Sequence, residues 1–257
     1  MNEDLKQENQ QEEQVYALEV KDMYKAYGKK QVLKGINLQV NTGEVFGFIG
    51  KNGIGKSTTI DCIVGLKNYD KGEVLIDGHE VRKEPLVTKA LIGYVPSEPT
   101  LYENMTGREY LEFIGSAYDM LQDSFEQNYE FLIHKLDMSE EDMNKKTGEY
   151  SHGMQQKVGL MASLIHFPSV WILDEPTVGL DIMMYEVLTK MIVDFAHNGK
   201  TVFITSHNLD LVSKVCDRVA IINDGVVAQI IDFKKEPLKR RELSKIFFKA
   251  YGDIEAK

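Results

Sequence analysis

Long hydrophobic runs are missing from this 257-residue sequence. Its uninterrupted apolar stretches, such as 170–173 and 219–222, fall far short of the ~20 residues that a membrane-crossing helix needs. No apolar leader opens the chain, so no secretory signal is expected. Cysteine is nearly absent. Cys62 and Cys216 share no metal-binding or redox spacing and are expected to be reduced core thiols. Basic charge is also in deficit, with 30 Lys and Arg against 40 Asp and Glu, a formal net charge of -10. Such a balance argues against nucleic-acid or anionic-lipid binding through the bulk surface. It leaves room for a local phosphate site built from backbone N–H groups and one lysine. The expectation is a cytoplasmic protein that would need a partner to hold it at a membrane.

What is present is an apolar fraction of 43%, ordinary for one large domain. Residues 1–14 are almost entirely polar and acidic and are expected to form a flexible tail. Beyond Val15, Ile36, Leu38 and Val40 alternate with polar residues, as a half-buried strand requires. Asn41-Thr42-Gly43 turns the chain into Val45–Ile49, and 74–76 followed by Asp77-Gly78 reads as a strand and tight turn. These patterns place an antiparallel β portion at the front.

The stretch from about 98 to 166 reads as a helical lobe inserted into a sheet domain. Thr106-Gly107-Arg108-Glu109 has the spacing of a capping box, and Ser124-Phe125-Glu126-Gln127 repeats it. Tyr110, Phe113, Ile114 and Ala117 share one helical face, and Phe125, Tyr129, Leu132 and Ile133 another. Short apolar runs return at 170–173, 202–205 and 219–222 between helical patterns, the rhythm of buried parallel strands alternating with helices. Residues 236–251 read as an amphipathic terminal helix within a C-terminal segment, 233–257.

Gly50-Lys51-Asn52-Gly53-Ile54-Gly55-Lys56-Ser57 follows a buried-strand pattern and opens a helical one, the context that a phosphate-binding loop demands. Glycines let the backbone curl so that N–H groups converge on phosphate oxygens, and the next helix offers its positive end. Lys56 would reach the β- and γ-phosphates, and Ser57 would offer a hydroxyl to Mg²⁺. Further on, the 170–173 run ends in Asp174-Glu175-Pro176. Two carboxylates at the end of a buried strand are costly unless a cation or substrate meets them. Alternation sends them to different places, Asp174 toward Mg²⁺ and Glu175 toward an attacking water. Thr205-Ser206-His207 ends another apolar run, so all three clusters converge where parallel strands end.

Together these residues resemble the ATP-binding-cassette (ABC) ATPase family over 15–232. The segment Tyr150-Ser151-His152-Gly153-Met154-Gln155-Gln156-Lys157 resembles the family signature, Leu180-Asp181 the loop that crosses its dimer interface, Tyr27 its adenine-stacking aromatic, and His207 its switch histidine. The resemblance implies an α/β fold, a RecA-like phosphate-loop NTPase core carrying an antiparallel β subdomain and an inserted helical subdomain. It implies ATP and Mg²⁺ as ligands. Gly50, Asn52, Gly53, Gly55, Lys56, Ser57 and Thr58 would line one nucleotide, while Ser151, Gly153 and Asp181 would serve one shared with a second cassette. The lobe would dock on a separate membrane permease, and the chain as a whole resembles exporter cassettes.

The sequence departs from the family pattern at His152 and Met154, where glycine and glutamine are usual, and at Ser97, where glutamine usually touches Mg²⁺. Glu98 or a water would then take that contact. Leu101, Tyr102 and Met105 stand beside this junction, as the lip of a docking groove or as ordinary core. A translation or DNA-repair cassette would bring a second copy, a basic linker or coiled-coil insertions, none of which the sequence contains. A degenerate binding module is hard to reconcile with Lys56, Asp174, Glu175 and His207 all being present.

Overall fold

The computed structural model describes residues 15–98 and 100–252; the tail expected over 1–14 lies outside them. β1 (Leu18–Tyr27) and β2 (Lys30–Val40) pair antiparallel across a turn in which Gly28 holds φ at 59°, a conformation glycine adopts without steric cost. The turn at Asn41-Thr42-Gly43 does not close a hairpin. β3 (Val45–Ile49) leaves the antiparallel portion and enters a second, mainly parallel sheet. After α1 (Lys56–Ile63), β4 (Lys71–Ile76) and the short β5 (His79–Glu80) complete the first sheet in the order β2-β1-β4-β5.

α2 (Pro85–Leu91), opened by a proline in its first turn, leads into β6 (Ile92–Val95) at the edge of the second sheet. A helical stretch follows: α3 (Gly107–Ala117), α4 (Gln122–Lys135), α5 (Glu140–Met143) and α6 (His152–Leu164). The chain then alternates through β7 (Val170–Asp174), α7 (Ile182–His197), β8 (Thr201–Ser206), α8 (Leu209–Val215) and β9 (Arg218–Asn223), and turns back in β10 (Val226–Asp232). The second sheet runs β10-β9-β3-β8-β7-β6. Its pairings are parallel except for β10 on β9. This is the α/β architecture expected, with a RecA-like core and an antiparallel subdomain.

Strand alternation explains the two cores. Phe46, Phe48, Ile172, Phe203, Ala220 and Ile222 face the smaller sheet and pack with Leu33, Ile36 and Ile60. Their neighbours Val45, Ile49, Trp171, Leu173, Val202 and Ile204 face the opposite side, against helices that include α6, α7 and α8. Phe203 stacks between Phe46 and Phe48 at centroid distances of 5.9 and 5.8 Å. Each such buried ring contributes ~1.5–3 kcal/mol. Both cysteines are buried and unpaired. Burial pushes the Cys62 thiol up to about 11 and Cys216 higher still, so both stay protonated and inert.

The Thr106–Glu109 capping box forms as the sequence indicated, Thr106 Oγ1 accepting from Glu109 N–H at 3.1 Å and Glu109 Oε2 from Thr106 N–H at 2.8 Å. The repeat at Ser124 does not. α4 instead starts at Gln122 behind Leu121, three residues before the start that a Ser124 cap would give, without a side-chain cap. The buried face of α3 also differs from the expected stripe: Gly107, Leu111 and Gly115 are covered while Phe113 is 47% exposed. Gly115 lets Phe125 of α4 pack directly on the α3 backbone. Phe125, Tyr129, Leu132 and Ile133 are buried as expected. Arg108 joins the two helices, bonding Glu112 at 2.9 Å and Glu126 at 2.5 Å. The terminal helix is two pieces, α9 (Pro237–Arg241) and α10 (Leu243–Ala250), broken at Glu242. No described helix is long and apolar enough to cross a membrane.

Gly93 in β6 sits against the Ser163 carbonyl of α6, so close that an added Cβ would collide with it. This contact sets how near the helix lies to the sheet. Gly93→Ala is expected to lower stability by ~2–3 kcal/mol through overpacking, read as a lower urea midpoint with an unchanged slope. An unaltered midpoint would mean that α6 has room to move.

Candidate nucleotide site

The site is assembled at the carboxyl ends of β3, β8 and β7. Ile49 pairs with Ser206 and Asp174 with Thr205, so the loop after β3 and the residues after β7 and β8 emerge side by side. Gly53 and Gly55 hold φ at 75° and 121°. Gly53 and Gly153 have open space where a Cβ would stand. Gly55 caps α1, whose first turn carries no acidic side chain, so the positive end of the helix is left for an anion. Lys56 is 6% exposed and threads back under the loop, its Nζ donating to Gly50 O at 2.9 Å. Asn52, Gly53 and Ser57 are exposed at the mouth, and Thr58 is half-buried.

Asp174 is 3% exposed and accepts a short hydrogen bond from Thr205 Oγ1. Glu175, the next residue, adopts φ of 50°, a left-handed conformation that costs a side-chain-bearing residue ~1–2 kcal/mol. The twist aims its carboxylate across the site. Oε1 lies 3.2 Å from Lys56 Nζ. Oε2 accepts from His207 N–H at 3.0 Å and meets His207 Nδ1 at 2.7 Å. Oε1 is buried and makes no hydrogen bond, so its remaining lone pairs are available to an incoming donor such as water. Lys56, Glu175 and His207 therefore form one line of contact, with Asp174 beside it. A phosphate-bound Mg²⁺ needs only one or two protein oxygens, and Ser57 and Asp174 fit that requirement. Among the described residues no group of three or more His, Cys, Asp or Glu side chains forms a metal site independent of a nucleotide.

The other sequence-derived residues lie around this centre. Tyr27 ends β1 and is 45% exposed, its ring flanked by the ammonium groups of Lys25 and Lys67 at 5.2 and 5.8 Å. Ser151 caps α6, accepting from Met154 N–H at 3.3 Å. Asp181 caps α7, accepting from Met184 N–H at 2.7 Å. Ser97 and Glu98 are exposed. Ser97 borders a small cavity shared with Gln156, Pro176 and Leu180. Sequence reasoning gave no separate role to Gln156, whose Nε2 donates to Val178 O at 2.6 Å, and missed Lys67 beside Tyr27. It also missed Tyr251, whose hydroxyl accepts from Lys51 N–H at 3.0 Å.

A glycine loop between a buried strand and a free helix end, with a buried lysine facing the Glu175 carboxylate, defines a phosphate-loop nucleotide-binding protein. The family model described as ABC transporter matches residues 33–178. The linearmycin resistance ATP-binding protein LnrL of Bacillus subtilis (strain 168) is 36% identical over 213 residues, 83% of this chain and 68% of that protein. A solved ATP-binding subunit of an ABC transporter superposes with a TM-score of 0.85 at 28% identity, covering 91% of this chain and 99% of its own. A dimeric ATP-binding cassette in a post-hydrolysis state, bound to ADP and Pi, gives 0.76 at 25% identity, covering 84% and 98%. The chain belongs to the ABC transporter family, as an ATP-binding subunit.

Thr205 holds both acidic residues, Asp174 by its carboxylate and Glu175 by its backbone: Oγ1 donates to Asp174 and accepts from Glu175 N–H at 3.2 Å. Thr205→Val keeps the shape and removes both bonds, leaving a buried carboxylate short of a partner. The expected loss is ~1–3 kcal/mol, measured as a fall in melting temperature at neutral pH. Equal melting of variant and parent would show that Asp174 finds another donor.

Proposed function

We propose that this chain hydrolyses ATP to power a membrane transporter, pairing with a second cassette around two ATP molecules and driving a separate permease in the direction of export. The observation that carries the reading is the position of Glu175, held by His207 on one oxygen and facing Lys56 with the other. That arrangement suits a carboxylate that polarises water beside a lysine-bound phosphate.

The loop N–H groups and the α1 terminus receive the phosphate chain, and Lys56 neutralises its β and γ groups. Ser57 and Asp174 would hold Mg²⁺, which would supply charge neutralisation. Glu175 orients and polarises the attacking water, while His207 holds that carboxylate and reaches the γ-phosphate. Tyr27 offers an exposed ring for adenine. Ser97 and Glu98 stand exposed at the junction with the helical stretch, where Glu98 or a water would take the contact that links the site to it.

Ser151 and Gly153 stand exposed at the α6 N-terminus, an anion-favouring end, and serve the nucleotide of the partner cassette. Asp181 lies at the same face with Ile182 and Met183, which are 84% and 77% exposed. The solved dimeric cassette supports this pairing.

A groove of about 310 Å³ lies between α3, α6 and β6, lined by Leu66, Tyr94, Leu101, Tyr110, Ile114 and Tyr118 among others. Tyr102 stands exposed at 57%, its ring against Tyr110 and Phe113. This exposure favours the docking reading over core packing, with a short cytoplasmic helix of the permease as occupant. The chain would thereby sit on the inner face of the membrane. A relative named as the SkfA peptide export ATP-binding protein SkfE of Bacillus subtilis (strain 168), 29% identical over 232 residues, supports export.

Glu175→Gln is expected to bind ATP and hydrolyse it ~10²–10⁴-fold more slowly, accumulating as an ATP-dependent dimer on size exclusion. Wild-type turnover in that variant would move the catalytic role elsewhere. Tyr102→Ala is expected to keep basal ATPase and thermal stability while losing co-purification with the permease. A drop in melting temperature instead would return Tyr102 to a packing role.

A further inference from the structure

The C-terminal helices come back to the phosphate loop. α9 is fixed by Arg240, which donates to the carbonyls of Ser213 and Cys216 at the end of α8. α10 buries Leu243 and Phe247, and its last carbonyl, Ala250 O, accepts from Asn223 Nδ2 at 2.8 Å. Tyr251 follows, its ring 5.1 Å from that of Phe247. Its hydroxyl donates to Ile222 O at the end of β9 and accepts from Lys51 N–H. The Lys51 ammonium lies 4.6 Å from the centre of the same ring.

One peptide unit joins these contacts to the phosphate lysine. Lys51 N–H and Gly50 C=O belong to the same planar group and point to opposite sides of it. Tyr251 holds the N–H side at 3.0 Å, and Lys56 Nζ donates to the C=O side at 2.9 Å. Rotation of that plane would break both bonds together. Gly50 reinforces the seat: a Cβ there would stand 2.6 Å from Ile222 Cγ2 and 3.1 Å from the Tyr251 hydroxyl.

We propose that Tyr251 is a positioning residue for nucleotide binding, fixing the Gly50–Lys51 peptide so that Lys56 is aimed at the phosphates before they arrive. The C-terminal helices, outside the strands and loops that carry the reacting groups, thereby set the affinity of the loop. A ligand binds more tightly to a site whose groups are already in place. The proposal rests on the ATP-binding reading above and adds to it a residue far along the chain.

Tyr251→Phe is the informative variant, because it keeps the ring, its contact with Phe247 and the Lys51 ammonium over it, and removes only the hydroxyl. Binding of a fluorescent ATP analogue and of ADP should weaken about fivefold to tenfold, the scale of one lost hydrogen bond. Both should weaken, because the β-phosphate is common to them, and ATP at least as much as ADP, because Lys56 also meets its γ-phosphate. KM for ATP should rise in step, with kcat at saturation within about twofold of wild type. Lys56→Ala, measured alongside, tests the underlying reading: if it too binds ATP normally, the phosphate-loop assignment fails. If Lys56→Ala loses binding and Tyr251→Phe keeps wild-type affinity, the positioning role is overturned, whatever happens to melting temperature. Should Tyr251→Phe not fold, Asn223→Ala, which frees the end of α10, must weaken both nucleotides about threefold, and unchanged affinity there overturns the proposal.

Discussion

The parallel register of β3, β8 and β7 is the constraint on which the rest depends. It sets Ile49 beside Ser206 and Asp174 beside Thr205, so three chain segments far apart in sequence leave the sheet flush with one another. From there short-range geometry completes the site. The glycine loop folds Lys56 back beneath itself, the left-handed turn at Glu175 swings a carboxylate toward it, and Thr205 and His207 hold the acidic pair from the next strand. A slip of one residue in β7 would invert the side chains of that strand, burying Trp171 on the wrong face and turning Asp174 away. The two apolar cores that enforce the register therefore also enforce the chemistry, without contributing an atom to it.

Much of this was legible because the informative residues are contiguous. The phosphate loop and the acidic pair each lie within a few residues of an apolar run, and the convergence of strand ends follows from parallel pairing alone. The Thr106–Glu109 cap was legible for the same reason. What escaped was of two kinds. Some features turn on residues that carry no apolar signal: the buried face of α3 is made partly by Gly107 and Gly115, so a search for hydrophobic periodicity favoured Phe113 instead. The pattern at Ser124 resembles a cap, yet the chain enters α4 from Leu121, and a local motif does not say which turn is the first. The turn at residues 41–43 looks like a hairpin until the pairing of β3 is known. Other features need contacts across the whole chain. The bond between Tyr251 and Lys51 spans 200 positions, and nothing near either residue announces it.

The acidic balance of the sequence acquires a physical meaning beside this site. With a net charge of -10, the protein attracts anionic ligands poorly from a distance. In the proposed reading, phosphate recognition comes from a short array of backbone dipoles and one buried cation, which act only at contact range. Selectivity for a phosphate chain then rests on shape and hydrogen-bond geometry, and little on the overall field.

The segment between Glu175 and α7 is bonded to the start of α6. Gln156 of α6 holds Val178 O, and the ring of His152 lies so close to Gly179 that a Cβ there would stand 2.6 Å from its Nε2. Ser151 and Asp181, which in a paired assembly would touch nucleotides bound from the partner's side, thus belong to one mechanical block within each subunit. A shift that presents one presents the other. In such a pair the two groups would meet the partner's nucleotide together, through a rigid linkage rather than through a flexible relay.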